Sequence, residues 1–146
     1  MLYQLAAGSL VSLINFAIHA VMTGIIVVAT RHTASLTDHL NVFSRVSALL
    51  MITMVVLMLA HVVEIGVWAM YYALQGIKLS VDPFEFAFEN YTALGYGDVV
   101  ADGGYRLIGP ITALNGLLLI GWSVAIIFEV MRMAEVQVGR VKKRDR

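Results

Sequence analysis

Cysteine is absent from the 146 residues. That excludes a disulfide framework and a thiolate metal site. Charge is scarce too: 14% of residues are charged against 60% hydrophobic, and the mean hydropathy is +0.82. Such a composition excludes an ordinary water-soluble domain. No lysine or arginine precedes Arg31, so the basic n-region of a cleaved signal peptide is missing and none is expected. No apolar run carries arginine or lysine at every third position, which excludes a voltage sensor. After the last apolar run only a short basic stretch follows, so neither a cytoplasmic ligand-binding domain nor a nucleic-acid partner is expected.

What the chain does have is length of apolar sequence. A bilayer is crossed by roughly 20 apolar residues, and three runs qualify: Leu5–Thr30, Val46–Leu74 and Leu107–Phe128. Eight of the ten basic residues fall in the first loop, as Arg31 and Arg45, or after the last span, ending "VGRVKKRDR". Between the second and third spans Lys78 and Arg106 face five acids, Asp82, Glu85, Glu89, Asp98 and Asp102. The positive-inside rule therefore puts the first loop and the tail in the cytoplasm. The N-terminus and the acidic segment lie outside. The basic tail fixes topology and is suited to anionic lipid headgroups.

The segment from Gln75 to Arg106 holds the unusual sequence. Asp82 suits an N-cap, Pro83 the first helical position, and Glu85 the return half of a capping box. Phe84, Phe86, Phe88 and Tyr91 make the following helix apolar. Roughly 10 residues span only about 15 Å, half a bilayer, so the helix is expected to enter the membrane and stop midway. Irregular backbone at that depth must be buried in protein or line a water-filled path. Here it is "ALGYGD", expected as extended chain. Gly95 and Gly97, alternating with Leu94 and Tyr96, reach conformations closed to other residues and could aim successive carbonyls along one line.

Carbonyl rings that replace a cation's water shell are the device of potassium-channel filters, built from TVGYG loops. From the half-helix through "TALGYGD" to the last span, the chain resembles the pore domain of the tetrameric potassium channels. The likeness covers about residues 46–132, leaving 1–45 as an extra helix with its loop and 133–146 as the tail. It implies an all-α membrane homotetramer with a re-entrant pore helix and filter loop, no cofactor, no catalysis, and passive flow of potassium as the permeant ion. It assigns ion contacts to the backbone of Ala93, Leu94, Gly95, Tyr96 and Gly97, supported by Thr92, Glu89 and Asp98. Glu89 and Asp98 would share a proton or hydrogen bond behind the filter. One departure stands out: the family's innermost threonine is here Ala93, and Thr92 lies one residue too early. A weakly selective cation channel of the same fold is the alternative.

The last span has Gly116 and Gly121 in its middle. The resemblance makes Gly116 a hinge, whereas tight packing is the reading for Gly121. Leu117, Ile120, Val124 and Phe128 recur on one helical face and would line the cavity, with Phe128 as a constriction near the cytoplasmic end. Glu64 in the second span is a costly residue there and calls for a partner. His61 shares its face, but two ligands on one helix are a weak metal signal, so Glu64 is expected to meet the half-helix or the extra helix at Asn15 or His19. An intramembrane hydrolase using His19, His61 and Glu64 around a metal is the remote alternative, and it leaves "GYGD" without a purpose.

Overall fold

The computed structural model describes residues 1–36, 41–95, 99–101 and 103–144, with the side chains of residues 31, 33–36, 103 and 135–144 outside it. Four α-helices follow in order: α1 (Leu2–Leu36), α2 (Val42–Leu74), the short α3 (Pro83–Tyr91) and α4 (Ile108–Arg144), with a 3-10 turn at Gly103–Tyr105 before α4. No strand occurs among the described residues. Three helices are long and apolar enough to cross a membrane, over Leu2–Thr30, Val42–Leu74 and Ile108–Ala134. The protein is an all-α, multi-pass membrane protein.

The long helices outrun the hydropathic spans expected for them. Apolar content marks depth in the bilayer, whereas backbone hydrogen bonding continues wherever the residues tolerate a helix. On α4 the continuation is visible in Arg132, which sits one turn beyond Glu129 and bonds it at 2.7 Å, the i,i+3 spacing that favours helix. Both ends of this pair are exposed, so its contribution is small.

Two compact units divide the chain. The first comprises Met1–His19 and Ala60–Gly121. Its core packs Val11 of α1, Ile65, Trp68 and Tyr72 of α2, Phe86, Ala87 and Tyr91 of α3, and Ile108 and Leu119 of α4. The aromatic rings interlock: Tyr72 meets Phe86 edge-on with centroids 5.3 Å apart, and Trp68 lies 5.9 Å from Tyr72, within the range that favours such pairs. The second unit comprises Ala20–Leu59 and Trp122–Arg146, with a core of Ile26, Leu49, Leu57, Ile126, Val130 and Ala134. Thr53, buried there, returns its hydroxyl to the Leu49 carbonyl at 2.9 Å, which spares an apolar span a bare polar group.

Candidate functional site

The site begins with a capped helix. The Asp82 carboxylate accepts a hydrogen bond from the Phe84 amide at 2.8 Å, and Pro83 opens α3 where no amide is needed. The Glu85 side chain, expected to complete a capping box, makes no hydrogen bond among the described residues. Phe86, Ala87 and Tyr91 turn one face of α3 into the core, while Phe84 and Phe88 stay exposed.

The other end of α3 is closed by its own backbone. The Ala93 amide donates to the Asn90 carbonyl at 2.9 Å and the Leu94 amide to the Glu89 carbonyl at 3.0 Å. This crossed pair is the Schellman arrangement, which needs a left-handed residue just past the helix. Ala93 is that residue, at φ +56°. Extended chain was the expectation from Ala93 onward, and the difference has a physical reason: the last carbonyls of α3 lack partners unless the chain turns back. The Thr92 hydroxyl adds to the closure by donating to the carbonyls of Phe88 and Glu89 at 2.9 and 3.2 Å. Gly95 follows at φ +44°, a conformation glycine adopts without the penalty of a Cβ. Tyr96, Gly97 and Asp98 lie outside the described residues. Leu94 is exposed and Glu89 half-buried, so the Glu89–Asp98 pair has one described member.

Helix α4 approaches this turn closely. A Cβ on Gly116 would collide with the backbone carbonyl of Tyr91, and one on Gly109 would run into the Asn90 side chain. At Gly116 the described helix is unbroken, and the absence of a side chain there is what lets α3 and α4 meet. A Cβ on Gly121 would meet no other helix of the same chain within 4 Å, so any tight packing there is not between helices of one chain. Leu117, Ile120, Val124 and Phe128 are all exposed, while Leu119, Ser123, Ile126 and Val130 on α4 are buried.

Behind α3 lies a polar cluster buried in apolar sequence. The Tyr91 hydroxyl donates to Glu64 Oε2 at 2.5 Å. His19 Nδ1 meets Glu64 Oε1 at 2.9 Å. His61 Nδ1 reaches Glu64 Oε2 at 3.1 Å and the Tyr91 oxygen at 2.8 Å. Glu64 therefore meets both the extra helix and the half-helix, as the cost of a membrane carboxyl demands. Asn15 adds a bond to the Glu64 backbone carbonyl at 3.2 Å and another to Asn115 Oδ1 at 3.0 Å. The Trp68 indole also donates to Asn115 Oδ1, at 2.9 Å. Tyr72 donates to Thr112 at 2.5 Å, while Thr112 donates onward to the Ile108 carbonyl.

Sequence reasoning missed Tyr91, Trp68, Thr112 and Asn115 as members of this cluster. A signal for most of it was present: Asn15 and His19 are spaced i,i+4 on α1, and Thr112 and Asn115 i,i+3 on α4. His61, Glu64 and Trp68 recur at 3 and 4 on α2, so each apolar span has one polar stripe.

A capped short helix ending in a left-handed turn is set between apolar spans and closed against the last one, in an all-α membrane protein. The chain belongs to the ion-channel family: the family's sequence model, described as "Ion channel", matches residues 58–133, just over half of the chain. No curated protein and no solved structure matches it.

Proposed function

We propose that four copies of this chain surround one potassium-selective pore, through which ions flow passively. The observation that carries the proposal is the turn at the end of α3, where left-handed Ala93 and Gly95 begin the "ALGYGD" segment inside the region matched by the ion-channel family. One such segment cannot encircle an ion, which is why the reading requires several subunits. The backbone of Ala93, Leu94, Gly95, Tyr96 and Gly97 would supply the carbonyl rings, with Thr92, Glu89 and Asp98 in support. The exposed α4 residues Leu117, Ile120, Val124 and Phe128 would face the cavity, with Gly116 as its hinge and Phe128 as its constriction. The acidic segment faces outward and the basic tail the cytoplasm, in the cell membrane and against anionic lipid. No catalysis is proposed.

Ala93 favours a second reading on one point. Without a hydroxyl at the innermost position, the filter offers one ring of ligands fewer, and a weakly selective cation pore follows. Reversal potentials in liposomes under opposed potassium and sodium gradients separate the two. A potential that follows the potassium gradient alone supports selectivity. One midway between the two gradients supports the weaker filter, and absence of current removes both.

A further inference from the structure

The cluster behind α3 has more ligand atoms than a helix contact requires. We propose that His19, His61 and Glu64, with Tyr91 beside them, form a binding site for a divalent transition-metal ion of the zinc class. The inference rests on the cluster alone and is independent of what the pore conducts.

The geometry suits such an ion. One ligand atom from each of His19, His61 and Glu64 lies within 4.8 Å of the other two. The separations 2.9 Å, 3.1 Å and 2.8 Å, from His19 to Glu64, His61 to Glu64 and His61 to Tyr91, are hydrogen-bond lengths. Bonds of about 2.0–2.1 Å to a tetrahedral zinc ion place neighbouring ligand atoms roughly 3.3–3.4 Å apart. Each histidine is therefore within a few tenths of an ångström of the spacing that a shared ion sets between it and the Glu64 carboxylate. The two rings, which meet opposite oxygens of that carboxylate, have ligand atoms within 4.8 Å of each other to close on the ion.

The donor set narrows the ion. Two imidazoles and one carboxylate are the ligands of hydrolytic zinc sites, and imidazole is a poor partner for calcium or magnesium, which take oxygen. Each ring presents its Nδ1 lone pair when its proton sits on Nε2, so the imidazoles enter the shell neutral. Tyr91 is the nearest further oxygen, completing the shell or orienting Glu64 through its hydroxyl. His19 and Glu64 side chains are fully enclosed and only His61 is partly open, which leaves one side for entry. The ligands come from α1 and α2, and Tyr91 is the last residue of α3. A bound ion would thus tie the extra helix to the residue that anchors the turn.

The test uses the tag-free full chain in detergent, titrated with zinc chloride by calorimetry and with cobalt chloride by visible absorption. The expected result is one zinc ion per chain and the intense visible band of tetrahedral cobalt. His19→Ala should weaken zinc binding by roughly 100-fold or more, since even an outer-shell partner is worth about 10–100-fold, while His32→Ala, also on α1, should bind as wild type. Should His19→Ala fail to fold, His19→Cys keeps a ligand and should shift preference toward cadmium, as a soft thiolate does. Absence of stoichiometric zinc in the wild type overturns the site and leaves a hydrogen-bonded lock. So does a folded His19→Ala that binds as wild type, or a His19→Cys chain with unchanged metal preference.

Discussion

Tyr91 and Ala93 stand two residues apart and are held by opposite devices, one by a side chain and one by the backbone. The Tyr91 hydroxyl bonds Glu64 and meets His61, with Tyr91 and Glu64 both buried. Tyr91→Phe should cost about 1–2 kcal/mol, the range for a buried hydrogen bond in a membrane setting. A lower midpoint of thermal unfolding in detergent, with unchanged helix content below it, is the expected reading. Ala93 pays the left-handed penalty of about 1–2 kcal/mol because its amide closes α3. Ala93→Gly should therefore raise the unfolding midpoint. Ala93→Thr should lower it, since a β-branched residue at φ +56° is strained. Equal midpoints for the two variants would remove the left-handed turn from the account.

At the scale of elements, the contact between α3 and α4 turns on one missing side chain. A Cβ on Gly116 meets the Tyr91 carbonyl, and backbone cannot move aside as a flexible side chain does. Gly116→Val should push the helices apart at a cost of about 1–3 kcal/mol, typical of overpacking, and should change channel open times through the displaced turn. Single-channel recordings of Gly116→Val beside Gly121→Ala, whose new Cβ meets nothing in the chain, provide the comparison. At the other end of α3, Asp82→Ala removes the cap on Phe84 and should cost about 1 kcal/mol. Asp82→Asn should retain most of that, because an amide oxygen accepts the same bond.

At the scale of the whole molecule the lack of cysteine makes the proposed topology measurable. A single cysteine introduced at Ser80, in the acidic segment between α2 and α3, should react with an impermeant thiol reagent from outside the cell. One introduced at Asn41, between α1 and α2, should react only after the membrane is opened. Reversed labelling would invert the proposed orientation.

Much of this was legible in the sequence. Three spans, the Asp82 cap, Pro83 at the first position and a half-helix ending near Tyr91 follow from local chemistry, because apolar length and capping depend on neighbours in sequence. The demand that Glu64 find a partner followed from the cost of a carboxyl in a membrane, and two candidates for it could be named. The tertiary structure alone decided which groups complete the set: Tyr91 from 27 residues away, and His61 shared between them. It also gave Gly116 a backbone neighbour and Ala93 a left-handed turn. Such pairings depend on how helices rotate and approach in space, and residues distant in the chain leave no mark of that on one another's sequence.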